Sequence, residues 1–137
     1  MLALKNGRRD VARSLALRLC ELVSEGDVLV PIPTTAARRR QRGFDGCRLM
    51  AQTIAQHRAV RVLPHLAQIA GDRQRGRSRD ARLCAVGRFA WRGEPLGGRR
   101  ITLLDDVVTT GSTLEDCAAV LRGSGAIVEK AIVVAKA

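Results

Sequence analysis

The stretch Leu103-Leu104-Asp105-Asp106-Val107-Val108-Thr109-Thr110-Gly111-Ser112-Thr113-Leu114 decides the fold. An apolar run from Ile101 to Leu104 leads into two carboxylates, then into a hydroxyl-rich stretch around one glycine. Helical apolar spacing follows from Ser112 to Arg122. Gly123 and Gly125 close that helix, and Ile127 to Val134 reads as a second β-run. Strand, loop, helix and strand in this order make one β-α-β unit, whose strands are parallel and buried on both faces. Asp105 to Gly111 is expected as the loop at the carboxyl end of the first strand, where open α/β sheets take their ligands.

Each part of that loop has a chemical use. Adjacent carboxylates accept hydrogen bonds from neighbouring hydroxyls, such as those on the 2 and 3 carbons of a ribose. Thr109 to Thr113 offers successive backbone N–H groups and several hydroxyls at the positive end of the helix dipole, a cradle for a phosphate dianion. Asp105, Asp106, Val107, Val108, Thr109, Thr110, Gly111, Ser112 and Thr113 together describe a ribose 5-phosphate site. A plain strand-to-helix turn capped by Ser112 or Thr113 would not need two carboxylates that repel each other.

The rest of the chain supplies more β and α segments. Gly7 to Glu25 carries Val11, Leu15, Leu19 and Leu22 at helical spacing, ending at Gly26. Val28 to Pro33 is a short apolar run cut by prolines, a buried strand that gives way to a loop from Thr34 to Gly43. A second helix is predicted from Gly46 to His57 through Leu49, Met50 and Ile54, and a short strand from Val60 to Leu63. Gly71 to Arg79 has no apolar residue and reads as a surface loop. A short helix over Ser78 to Cys84, a strand over Arg88 to Trp91 and a turn at Gly97-Gly98 complete the pattern. The fold class is α/β, with a central, mainly parallel sheet flanked by helices.

A length of 137 residues suits one domain around one core, and 46% hydrophobic against 27% charged residues excludes a disordered tail or a coiled coil. No apolar run reaches the roughly 20 residues of a membrane span, and the N-terminus lacks the apolar core of a signal peptide, so no membrane partner is expected and the location is read as cytoplasmic. The formal charge is +11, and 21 of the 24 basic residues are Arg. Thr34 to Arg100 holds 16 basic and 4 acidic residues, so the whole excess sits in the middle of the chain. A block of that kind suits an anionic partner, nucleic acid or a phosphorylated small molecule, because Arg pairs with phosphate through a planar fork of donors. Cys20, Cys47, Cys84 and Cys117 form no CxxC and have no paired His, so no metal site is expected. His57 and His65 are isolated and carry no assigned chemistry.

The quoted stretch resembles the PRPP-binding motif of the type I phosphoribosyltransferases, PRPP being 5-phosphoribosyl 1-pyrophosphate. Val30-Pro31-Ile32-Pro33, then Arg38 and Arg42-Gly43-Phe44, resemble the ComF family, phosphoribosyltransferase-like proteins associated with bacterial DNA uptake. Gln74, Gly76, Arg82 and Phe89 fall near further positions of that family, and the similarity spans nearly all of residues 4–136.

The resemblance implies a type I phosphoribosyltransferase fold that binds PRPP or a related ribose phosphate with Mg2+. Asp105 and Asp106 would meet the ribose hydroxyls, and Thr109 to Thr113 the 5-phosphate. Pro31, Ile32, Pro33, Thr34, Arg38 and Arg42 would belong to the pyrophosphate loop. Gln74, Arg75, Gly76 and Arg77 would lie in a flexible loop that closes over the site. Transfer of the phosphoribosyl group to an acceptor with release of pyrophosphate is one expectation. A non-catalytic DNA-uptake accessory acting on single-stranded DNA or a DNA-uptake helicase is the other, and a homo-oligomer is left open. Family members commonly carry a four-Cys zinc module ahead of the stretch that begins here at Lys5, so this sequence is expected to be a short form or a truncated one. Phosphoribosyltransferases for 6-oxopurines resemble one another in having Asp where this chain has Thr109, which argues against purine salvage.

Overall fold

The computed structural model describes residues 8–69, 84–108 and 110–136. In chain order its elements are α1 (Arg9–Leu19), continued by a 3-10 turn at Cys20–Leu22, β1 (Val28–Pro31), α2 (Ala36–Arg42), α3 (Gly46–His57), β2 (Arg61–Val62) and β3 (Leu66–Gln68). After these come β4 (Cys84–Val86), β5 (Phe89–Trp91), β6 (Arg100–Val108), α4 (Ser112–Gly123) and β7 (Ile127–Lys136).

Four strands form an all-parallel sheet in the order β2-β1-β6-β7. Side chains alternate along each strand, so neighbours enter different layers. Leu29 and Leu104 pack with Ala12 and Ala16 of α1 and with Met50, Ala51 and Ile54 of α3. Val30, Ile101 and Leu103 point the other way, onto Cys117, Val120 and Leu121 of α4 and onto Phe89 and Trp91. Each fully buried Leu, Ile or Met contributes on the order of 1.5–3 kcal/mol through the water it sheds.

This arrangement positions a site. From β1 the chain crosses by α2 and α3 to β2 on one flank, and from β6 it crosses by α4 to β7 on the other. Right-handed crossovers that run in opposite directions put their helices on opposite faces. The loops after β1 and β6 therefore diverge, and the crevice between them is the switch point at which such sheets bind ligands.

The structure departs from the expected elements in several places. Residues 36–42 are helical rather than loop: Ala and Arg are strong helix formers, Thr35 Oγ1 accepts from the Arg38 N–H at 3.1 Å, and Gly43, at φ 81°, closes the last turn with its N–H on the Arg39 carbonyl. Strand β6 runs on through Asp105 to Val108, because β7 pairs with it as far as Lys136. Leu22 is 55% exposed, since the 3-10 turn rotates it off the stripe that buries Ala12, Ala16 and Leu19. Cys84 opens a strand, and the rest of the helix expected over Ser78 to Cys84, like the loop expected over Gly71 to Arg79, lies outside the described residues. An antiparallel sheet in the order β3-β5-β4 was not anticipated beyond its middle strand.

Candidate ligand-binding site

A cleft of about 230 Å³ opens at the carboxyl ends of β1 and β6. Ile32, Pro33 and Thr34 form its floor on the β1 side, Asp105, Asp106 and Val107 on the β6 side. Arg38 and Arg42 reach it from α2, Thr113 from α4, and Gln68, Arg88 and Phe89 from the antiparallel sheet. Arg38 and Arg42 stand four residues apart, so one face of α2 presents both. Asp45 fixes the segment between β1 and α3: its carboxylate caps α3 by accepting from the Arg48 N–H at 3.2 Å and also takes the Thr34 N–H at 3.3 Å.

The two aspartates differ in environment. Asp106 is held by the Arg42 guanidinium, Nη1 to Oδ2 at 3.5 Å, and its Oδ1 accepts from the Val107 N–H at 2.7 Å. Asp105 is 8% exposed, and its Oδ1 accepts from the Asp106 N–H at 2.8 Å and from the Cys47 thiol at 3.7 Å. Its Oδ2 bonds no described residue. Burial pushes the Asp105 carboxyl up to about 6; the Asp106 N–H counters this, and the Asp106 charge adds to it. Burial also drives the Cys47 thiol well above its ordinary range, helped by the charges of Asp106, Asp105 and Asp45, so it stays a thiol and donates.

Helix α4 starts beside the carboxylates. Gly111, at φ 85°, is its N-cap, a conformation a side chain would strain, and as a glycine it offers no side-chain cap. Thr110 Oγ1 lies 3.0 Å from Ser112 Oγ and accepts from the Ser112 N–H at 3.3 Å. Thr110, Ser112 and Thr113 are exposed, so hydroxyls and first-turn N–H groups face outward at the positive end of the helix dipole.

No protein-family model matches the sequence. Over 101 residues, 72% of this chain, it is 31% identical to competence protein ComFC of Bacillus subtilis (strain 168), and those residues make up 39% of that relative. The chain thus spans about two fifths of the length of the curated relative it matches. An adenine phosphoribosyltransferase structure superposes with a TM-score of 0.58 over 93% of this chain and 68% of that one, at 14% identity, a likeness of fold. A hypoxanthine phosphoribosyltransferase from Staphylococcus aureus, also 14% identical, covers 93% of this chain and 60% of its own with a TM-score of 0.43. The chain is a ComF-like protein of the type I phosphoribosyltransferase fold.

Of the residues singled out in this ComF-like sequence, Ile32, Pro33, Thr34, Arg38, Arg42, Asp105, Asp106, Val107 and Thr113 line the one cleft. Thr110, Gly111 and Ser112 stand next to it at the start of α4. Pro31 is buried and borders a neighbouring groove, and Val108 pairs with Lys136 at the end of the sheet. Thr109, Gln74, Arg75, Gly76 and Arg77 lie outside the described residues. Sequence reasoning missed Cys47, Gln68, Arg88 and Phe89 as cleft residues. Cys47 follows the Asp45 cap by two positions, a faint signal; Phe89 had only its place near a family position, and Gln68 and Arg88, which arrive with the antiparallel sheet, had none. Cys47, Asp105 and Asp106 bring ligand atoms within 4.8 Å of one another, a grouping the cysteine spacing did not suggest.

Proposed function

We propose that this ComF-like protein binds PRPP or a related ribose phosphate with Mg2+, and that its cleft serves phosphoribosyl transfer to an acceptor with release of pyrophosphate. In this reading Asp105 and Asp106 accept from the ribose hydroxyls and Thr109 to Thr113 surround the 5-phosphate. Pro31, Ile32, Pro33, Thr34, Arg38 and Arg42 form the pyrophosphate side, while Gln74, Arg75, Gly76 and Arg77 close over the ligand. The observation that carries it is that one cleft at the switch point is lined by both the Asp105-Asp106 pair and the Arg38 and Arg42 guanidinium groups, with Arg42 3.5 Å from Asp106. An anion with a diol between its charged ends matches that distribution.

The donor set suits Mg2+ in a limited way. Carboxylate oxygens are the hard donors the ion takes, whereas the Cys47 thiol is not. Asp106 is already engaged by Arg42 and the Val107 N–H, so Asp105, through Oδ2, is the carboxylate with an oxygen to spare. Most ligands of the ion would then be phosphate, sugar and water oxygens, the usual manner of Mg2+ with phosphorylated substrates. Bound there, the ion would supply positive charge where pyrophosphate departs. Thr109 in place of an acid argues for acceptors other than 6-oxopurines, since a hydroxyl is a far weaker base than a carboxylate.

Calorimetric titration with PRPP, with and without Mg2+, tests the binding, and pyrophosphate release across bases and small amines tests the transfer. Absence of saturable PRPP binding overturns the reading. A second reading, a cytoplasmic accessory of DNA uptake acting on single-stranded DNA or a helicase, is favoured by the relative's name as a competence protein and by the exposed Arg38, Arg39 and Arg40 of α2. If those arginines serve the cleft, saturating PRPP weakens binding of a labelled oligonucleotide. Tight, salt-sensitive DNA binding indifferent to PRPP favours the accessory.

A further inference from the structure

A second groove, of about 520 Å³, lies beside the ligand cleft and shares Pro33, Thr34 and Gln68 with it. Leu66, Ala67, Gln68 and Ile69 line it in unbroken succession. Strand side chains alternate between faces, so four consecutive residues along one groove mean that the strand meets it edge-on. β3 is an outer strand of its sheet and pairs on one side with β5. The Ile69 N–H donates to the Arg88 carbonyl, and the Arg92 N–H to the His65 carbonyl. Odd-numbered residues thus bond toward β5. By the alternation of an antiparallel ladder, the N–H and C=O groups of Leu66 and Gln68 point into the groove, where no described residue bonds them.

The opposite wall carries the exposed guanidinium groups of Arg39 and Arg48. Its acid, Asp45, is already committed to the N–H groups of Thr34 and Arg48. The backbone groups of Leu66 and Gln68, unpaired among the described residues, therefore face two cations across the groove.

We propose that this groove docks an extended acidic peptide segment of another protein, which adds a strand to the free edge of β3 and sets carboxylates on Arg39 and Arg48. Strand addition supplies main-chain hydrogen bonds, while alternate side chains carry the selectivity. At roughly 3.3 Å per residue, the edge of β3 reads three or four residues of the partner. A single-stranded nucleic acid would satisfy the two cations and leave the Leu66 and Gln68 backbone groups without partners, and the groove lining holds no aromatic ring on which a base could stack. The chain's own Gly71 to Arg79, with four Arg and one Asp, has the wrong charge for this wall. The inference does not depend on what fills the first cleft.

The test uses the 137-residue chain and a fluorescein-labelled, end-capped Glu-Val-Glu-Val-Glu peptide, followed by anisotropy. Saturable binding is expected, weakening with added salt and lost with a Lys-Val-Lys-Val-Lys control. Arg39→Glu combined with Arg48→Glu, both on exposed positions that spare the core, should weaken it by roughly tenfold or more. Peptides N-methylated at alternate residues in the two possible registers should split into one that binds and one that does not, a readout that leaves the protein untouched. Absence of binding overturns the proposal. So do equal affinities for both methylated peptides, indifference to the double substitution, or an oligonucleotide that binds more tightly through the same two arginines.

Discussion

Arg42 and Asp106, 64 positions apart in the sequence, meet at 3.5 Å between Nη1 and Oδ2 with only 4% and 16% of their side chains exposed. The contact joins α2, which follows β1, to the carboxyl end of β6. It ties the two diverging halves of the parallel sheet together at the point where the cleft opens.

Breaking that pair from one side should cost more than removing it. Arg42→Met leaves Asp106 half-buried without its cation and is expected to destabilise the fold by about 1–3 kcal/mol. Adding Asp106→Asn should recover part of the loss. Urea unfolding of the two single variants and the double variant measures the coupling, and strictly additive changes would show that the contact carries no energy.

Asp105→Asn combined with Asp106→Asn is expected to abolish PRPP binding while the circular dichroism spectrum stays native. Amides keep the shape, and their carbonyl oxygens still accept from the Asp106 and Val107 N–H groups, but the charged acceptors are gone. Hydrogen bonds to charged groups are worth about 1.5–3 kcal/mol each, so two of them amount to more than about a hundredfold in affinity. Calorimetry showing wild-type affinity would remove the carboxylates from the site.

The raised carboxyl of Asp105 sets a pH dependence of stability. Its folded value of about 6 lies above an ordinary 3.8, so between these values the folded chain holds a proton that the unfolded chain has released. The contribution of this group is full below the ordinary carboxylate range and is lost as pH rises through about 6. Asp105→Asn should therefore gain stability relative to wild type on going from pH 4.5 to pH 7.5. Paired urea midpoints at those two pH values check this, and a difference that stays constant would contradict the assignment.

Asp45→Ala removes the cap of α3 and the acceptor of the Thr34 N–H together. A loss of about 1–2 kcal/mol is expected, at the upper end for a cap. Weaker PRPP binding should accompany it, since the segment that carries Arg38 and Arg42 is anchored through Thr34. Thermal unfolding and calorimetry on one preparation read both effects, and an unchanged midpoint would rule out the capping role.

Much of the sheet was legible because its signals are local. Gly46 to His57 is helical over the range its apolar spacing indicated, and the strand–helix–strand unit around Asp105 was readable from the continuous stretch Ile101 to Val134. Helix α2 was not, because four arginines after a double proline read as an exposed loop, although Thr35 and Gly43 are ordinary caps and Ala and Arg favour helix. β3 spans three residues, too few for alternation to register, and exists through its pairing with Phe89 to Trp91. The acidic half of the cleft was visible since its residues adjoin in sequence. Gln68, Arg88 and Phe89 were hidden because the antiparallel sheet brings them there, and no local pattern encodes that packing.

From Ile101 to Leu104 β6 is flanked by strands on both sides, with Leu103 and Leu104 only 1% and 0% exposed, and beyond Leu104 its pairing among the described residues is with β7. Backbone amides in such a strand exchange with solvent hydrogen only when the whole molecule opens, whereas those of an exposed helix start exchange through local fraying. Asp105 and Asp106 follow directly on that doubly flanked segment and pair with β7 alone, whereas Thr110, Ser112 and Thr113 stand on an exposed helix start, where exchange is expected early. In the proposed reading, a sugar resting on β6 would meet acceptors anchored next to the rigid centre of the sheet, and the entropy lost on binding would fall mainly on the phosphate end of the site.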